Sequence, residues 1–276
     1  MTEELLIGLL AGLFGLLIGS FLNVCIHRWP QELSVVTPRS HCPGCDHLIA
    51  WHDNIPLVSW LILRARCRHC QCPIHWRYPL VELLTGLCFF WFAAHAGISL
   101  NTLKYWVFSA MLIGLIFSDL ETLLLPDEFT KGGFVIGLAI SPFVPVPDAT
   151  FRFASEILGF RFGTRVDSVG EALLGGILPA GTLWLIGWLF ERFRHKEGLG
   201  FGDVKMIAMI GAFLGLRGAL LTVILGSIAG SVIGLVYIKA TRQDAGEFPL
   251  PFGSFLGAAA IAVAMAGQNW YWALFS

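Results

Sequence analysis

The chain has 276 residues, of which 56% are hydrophobic and only 13% charged. Water-soluble domains carry about a quarter charged residues, so that composition, with a mean hydropathy of +0.72, excludes an ordinary soluble enzyme and implies a polytopic protein of the inner-membrane type. The formal net charge of −1 gives no sign of a nucleic-acid partner; membrane lipid is the expected surrounding.

Met1-Thr2-Glu3-Glu4 lacks the basic segment of a cleaved signal peptide, so the apolar run at 5–25 is expected to stay as a helix long enough to span a bilayer. Arg28 and Trp29 mark its interface and Pro30 stops it. Residues 31–78 are polar and basic, too few for a core of their own, and so expected to need a metal staple. Further apolar runs at 79–97, 102–118, 129–146, 170–190, 203–217, 219–239 and 253–273 bring the expectation to about eight transmembrane helices. The run at 203–217 is short and ends at Arg217-Gly218, which leaves a spanning, broken or re-entrant helix open. The predicted organisation is a first helix over 1–30, a cytoplasmic subdomain over 31–78 and a seven-helix membrane domain over 79–276.

With the N-terminus outside, 13 of the 18 lysines and arginines fall on the cytoplasmic side, in agreement with the positive-inside rule. The loop at about 147–169 then lies outside and shows no chemistry of its own.

Four of the seven cysteines form two pairs, Cys42-Pro43-Gly44-Cys45 and Cys67-Arg68-His69-Cys70, close to zinc-ribbon spacing. Four sulfur ligands close a tetrahedral shell, so the expected zinc is structural. Cys72 is a fifth candidate in the wrong register, and Cys25 and Cys88 read as packing residues.

Asp119 directly follows one apolar run, and Asp203 opens another inside Gly198-Leu199-Gly200-Phe201-Gly202-Asp203-Val204-Lys205. Carboxylates at the mouth of a membrane segment are costly, and the glycines clear side chains from around Asp203. Both aspartates fall on the same membrane face. If they approach, the pair shares one proton, one carboxylate acting as base toward water while the other polarises a carbonyl. An interfacial aspartate alone is more simply a helix cap. Asp127 suits that cap role before the 129–146 helix, or serves as an alternative partner. Lys205 reads as a local counter-ion or a contact for an acidic substrate, and Glu82, beside Arg77, as a paired or capping residue, with facing the site as the lesser alternative.

Taken together, these stretches resemble the type IV prepilin peptidases, membrane aspartyl proteases of the GxGD type serving type IV pili and type II secretion. The resemblance runs almost end to end. It includes Gly19-Ser20-Phe21-Leu22-Asn23-Val24, both cysteine pairs, Asp53-Asn54-Ile55-Pro56-Leu57-Val58-Ser59-Trp60 and Arg77-Tyr78-Pro79-Leu80-Val81-Glu82. It continues through Asp119 to Asp127, Gly200-Phe201-Gly202-Asp203-Val204-Lys205 and Pro251-Phe252-Gly253. It implies that Asp119 and Asp203 are the catalytic pair, with Asp127 supporting, and that the substrates are prepilins or type II secretion pseudopilins, cut after a basic leader. It also implies methylation of the new N-terminus with S-adenosylmethionine, for which no residues are assigned. Two other readings fit less well: a carboxylate-coupled transporter, whose site belongs near the midplane, and a structural assembly subunit, which leaves Asp203 unexplained.

Overall fold

The computed structural model describes residues 3–194, 200–241 and 250–267. Gly198 and Leu199, most of the 239–252 loop and the end of the last apolar run lie outside the described residues. The chain divides into two compact units, Met1–Phe117 and Ser118–Ser276. Among the described residues, five helices are long and apolar enough to cross a membrane.

The first unit is built on an antiparallel pair, α1 (Glu3–Arg28) and α3 (Arg77–Ala96). Gly8, Gly12, Gly15 and Gly19 form one stripe of α1. A Cβ on Gly19 would stand 2.6 Å from the Cα of Glu82, and one on Gly15 would stand 2.9 Å from the Cα of Gly86. Close backbone approach of this kind is how apolar helices associate where lipid offers no hydrophobic drive. The opposite side of α1 carries Leu9, Leu10, Leu13 and Leu17, all exposed, as a lipid-facing surface requires. The first part of α4 (Leu100–Thr122) packs on α3 through aromatic rings, Phe89 stacking on Trp106 at 4.8 Å and Phe92 on Tyr105 at 5.1 Å. Ser99 caps α4 by accepting the Thr102 N–H at 3.1 Å.

Between α1 and α3 lies the polar segment, with a short helix α2 (Val58–Ile62). Glu82 does not pair as a simple cap. Its carboxylate, buried in the helix pair, accepts the backbone N–H of Leu57 at 2.8 Å and pins the polar segment to the membrane helices.

The second unit contains α5 (Asp127–Ile140), α6 (Thr150–Ile157), α7 (Thr164–Arg194), α8 (Phe201–Thr241) and α9 (Phe252–Gly267). Helices α7 and α8 meet at Gly175, Gly176, Gly211 and Gly215, where a Cβ on Gly175 would lie 2.6 Å from the Gly215 carbonyl carbon. Buried Met206, Ile207, Met209, Ile210 and Phe213 complete the core of α8.

The two runs expected at 203–217 and 219–239 are one element broken at Gly215, whose φ of +75° favours glycine. Asp148 explains the break. Its Oδ2 accepts the Arg217 N–H at 2.9 Å, and Oδ1 accepts the N–H of Ala149 at 2.8 Å, so one side chain caps both the second half of α8 and the start of α6. The loop expected at 147–169 is therefore a folded element that sets the shape of α8.

Candidate active site and thiol cluster

Asp119 sits in the last turn of α4, 4% exposed. Its Oδ2 accepts two hydrogen bonds from Ser254, the backbone N–H at 2.7 Å and the hydroxyl at 2.9 Å. Ser254 is the third residue of α9, where backbone N–H groups lack acceptors within the helix. Asp119 fills that vacancy from another helix, at the end of α9 that carries its partial positive charge.

Asp203 is the third residue of α8, its N–H donating to the Gly200 carbonyl at 3.1 Å. Leu125 draws the two strands of the site together. A Cβ on Gly202 would lie 3.2 Å from Leu125, and one on Gly253 would lie 3.1 Å from both Leu125 and the Asp119 Oδ2. A Cβ on Gly200 would lie 3.1 Å from the Asp203 Oδ2. Backbone alone therefore meets Asp203 at Gly200 and Asp119 at Gly253, and Gly202 lets the first turn of α8 close on Leu125.

Asp127 does not cap α5. Pro126 holds the cap position, and Asp127 follows it as the first helical residue. Its carboxylate pairs instead with Lys131, at 2.6 Å, and with Lys205. Hydrogen bonds from Lys131 and then Lys205 hold the Asp127 carboxyl below the usual carboxylate range. Lys205 is thus a counter-ion, and through it α5 is tied to the turn of α8 that bears Asp203.

In the first unit, Cys42, Cys45, Cys67 and Cys70 bring their Sγ atoms within 4.8 Å of one another. The two knuckles are copies in backbone terms. Cys42 N–H donates to His47 O and Cys67 N–H to Cys72 O; Asp46 and Gln71 both take positive φ; and the bridges His41–Leu48 and Arg66–Pro73 close each loop. Cys72, set aside on register, stands 3.4 Å from Cys42 and 3.2 Å from Cys70, sulfur to sulfur.

Family models match both units. One described as Bacterial Peptidase A24 N-terminal domain covers residues 13–96, and one described as Type IV leader peptidase family covers 106–235. The chain belongs to the type IV leader peptidase family. Its relatives include proteins named prepilin leader peptidase/N-methyltransferase from Myxococcus xanthus, 40% identical over 88% of this chain and 69% of that one, and from Aeromonas hydrophila, 35% identical over 94% and 91%. The Pseudomonas aeruginosa protein of that name is 33% identical over 90% and 86%. No solved structure matches.

Within this family member the thiol cluster fits a tetrahedral metal. Sulfurs bound to one zinc ion stand about 3.8 Å apart, and Cys42 and Cys70 are 3.7 Å apart. Backbone N–H groups of Cys70 and His69 hold the Cys67 thiol below its ordinary value, and that of Cys72 does the same for Cys70. The neighbouring Cys70 sulfur pushes Cys72 up to about 12, and Cys45 is raised to about 12 as well, so thiol acidity does not separate Cys72 from the four. Ser254 is the residue that reading the sequence missed. The quoted motif stops one residue short of it, although a serine in the first turn of an apolar helix is a cap signal.

Proposed function

We propose that this chain is an aspartyl endopeptidase of the bacterial inner membrane that removes the basic leader of type IV prepilins or type II secretion pseudopilins, and N-methylates the product. Asp119 and Asp203 are the catalytic pair, Asp127, Lys205, Gly200 and Gly202 support them, and Cys42, Cys45, Cys67 and Cys70 hold a structural zinc ion in a cytoplasmic subdomain spanning 31–78. The proposal rests first on the convergence of Asp119 and Asp203 around Leu125 and Gly253, and second on the names its relatives carry. The placement of lysines and arginines supports an active site facing the cytoplasm. Both carboxylates stand at helix ends rather than at mid-helix, which favours peptidase over transporter chemistry.

In the mechanism the site favours, the pair carries one proton. Asp119, already accepting two bonds from Ser254, is the ionised member and takes a proton from water as that water attacks the carbonyl of the last leader residue. Asp203 gives its proton to the developing oxyanion. The carbon–nitrogen bond then breaks, the leaving amine taking the proton from Asp119 while the new carboxyl group returns one to Asp203. Side chains at Gly200 or Gly253 would crowd Asp203 and Asp119 and hinder both proton transfers. S-adenosylmethionine, when bound, supplies the methyl group for the amine so released.

Incubating the purified protein with a full-length prepilin and weighing the product N-terminus tests both activities. The expected result is loss of the leader and gain of one methyl group. An uncut prepilin under conditions where the zinc content is intact would falsify the peptidase reading. Cysteines introduced at Val36 and Arg161 are expected to label from opposite sides of the membrane; same-side labelling contradicts the orientation.

A further inference from the structure

The thiol cluster holds one sulfur more than a tetrahedral metal uses. Cys42, Cys45, Cys67 and Cys70 fill the shell, and Cys72 is left over. Its sulfur nevertheless stands in contact with two of the four, 3.2 Å from Cys70 and 3.4 Å from Cys42.

The fold of the knuckle does not ask for a cysteine there. Cys72 holds the place in the second knuckle that His47 holds in the first. In both, the backbone carbonyl at that place accepts the closing N–H, from Cys67 at 2.9 Å and from Cys42 at 3.0 Å. The side chain at this place is therefore free of the turn. Gln71, at φ +60°, bends the chain so that the Cys70 and Cys72 sulfurs meet. Gly44 makes room for them: a Cβ there would lie 3.0 Å from the Cys72 sulfur and 3.6 Å from that of Cys70.

Access to solvent differs along the cluster. Cys70 is exposed, Cys72 is half-buried, and Cys42 is buried. A small oxidant arriving from water therefore meets Cys70 before Cys42, with Cys72 already beside it. Cys25 and Cys88 are buried among the helices, and all seven cysteines precede Phe117, so the second unit has no thiol to oxidise.

We propose that Cys72 is a resolving thiol, which forms a disulfide with Cys70 when the cluster meets hydrogen peroxide and so releases the zinc ion. The inference rests on the structural zinc of the reading above. The Cys70 thiolate attacks one peroxide oxygen, the oxygen–oxygen bond breaks, and hydroxide leaves, giving a sulfenic acid. The Cys72 sulfur then attacks the Cys70 sulfur. The sulfur–sulfur bond forms, the sulfur–oxygen bond breaks, and the Cys72 proton leaves with the displaced oxygen as water. Two electrons pass from sulfur to peroxide, which ends as one water and one hydroxide. Three thiolates remain, one short of a closed shell. Because binding energy in such a subdomain is folding energy, the oxidant loosens the 31–78 segment, and a thiol reductant with zinc restores it.

The test titrates the full-length, zinc-loaded protein in detergent with hydrogen peroxide. Released zinc is read with a chromophoric chelator; remaining thiols are then alkylated and the peptides weighed. Trypsin cuts after Arg68 and Arg77, so Cys70 and Cys72 share a peptide with no other cysteine. The unaltered protein is expected to lose about one zinc ion per chain. The shared peptide should come out two hydrogens lighter and refuse the alkylating reagent. Cys72→Ala and Cys72→Ser are expected to start with the same zinc content and to release it at least about tenfold more slowly, since no free thiol then meets the sulfenic acid. Oxidised, zinc-free protein without the Cys70–Cys72 bond overturns the proposal, and so do equal release rates in all three proteins. Either result leaves the structural zinc standing. Should both variants start without zinc, the peptide masses of the unaltered protein decide alone. Absence of zinc from the unaltered protein before any peroxide removes the zinc reading itself, and this inference with it.

Discussion

The two units hold their reactive groups in opposite ways. The four sulfurs of the first unit lie on short loops in two locally closed knuckles, and Cys45 and Cys70 are exposed. The carboxylates of the second sit at helix ends, Asp119 held by Ser254 of α9 and the Asp203 turn meeting Leu125 through Gly202. A thiol cluster of this kind is assembled by local turns and tightened by the metal. The carboxylate pair depends on helix packing being right beforehand. Losses in one unit should therefore appear as metal and folding defects, and losses in the other as pure rate defects.

The largest effect expected is on rate. Asp119→Asn and Asp203→Asn should each reduce leader cleavage by about 10³-fold or more, since either change removes a proton acceptor or donor from a shared pair. Zinc content and membrane insertion should stay normal. The double variant should be no slower than the slower single variant, because the two act as a unit. Single-turnover cleavage measures this, and substantial activity in either variant would overturn the pair.

Next comes the metal. Cys42→Ser is expected to lose zinc and loosen the 31–78 segment, because Cys42 is the buried member of the cluster and binding energy there is folding energy. Cys70→Ser should be milder, since Cys72 stands within 3.4 Å of Cys42 and can take the vacated corner. Elemental analysis of both, with the Cys70→Ser/Cys72→Ser double variant, decides it. Equal zinc loss in Cys42→Ser and Cys70→Ser would show that Cys72 gives no support.

The contrast also explains what the sequence could and could not reveal. Cys-x-x-Cys spacing is short, so the knuckle that closes around it is visible in a few residues. Asp119 and Asp203 were legible because charge is conspicuous beside apolar runs. Ser254 was not, because a serine is ordinary in a helix and its role appears only when α9 docks its terminus on Asp119. The break in α8 was half visible: Arg217-Gly218 marked a weak run, but Gly215 breaks it, and the cap comes from Asp148, far back in the chain. The role of Glu82 was hidden for the same reason, its partner Leu57 lying in a segment with no apolar pattern.

Ser254→Ala probes the packing dependence of the carboxylate pair directly. It removes the hydroxyl bond to Asp119 and leaves the backbone N–H in place. A hydrogen bond to a charged group is worth about 1.5–3 kcal/mol, so cleavage should slow by roughly ten- to a hundredfold with zinc unaffected. An unchanged rate would mean that the α9 terminus alone holds Asp119.

The smallest effect separates Asp127 from the pair. Asp127 is half-exposed and bound to Lys131 and Lys205, so it orients the first turn of α8 without touching the proposed reacting atoms. Asp127→Asn keeps the shape, weakens both ion pairs and frees Lys205, and should slow cleavage only a few-fold. The pH dependence gives the sign. Because the lysines lower the folded-state value of the Asp127 carboxyl, its contribution is present above the ordinary carboxylate range and disappears as pH falls through that lowered value. The ratio of wild-type to Asp127→Asn activity should therefore be constant near neutrality and shrink toward one in acid. Complete loss of cleavage in Asp127→Asn, with Asp119→Asn still active, would move the partner of Asp203 from Asp119 to Asp127.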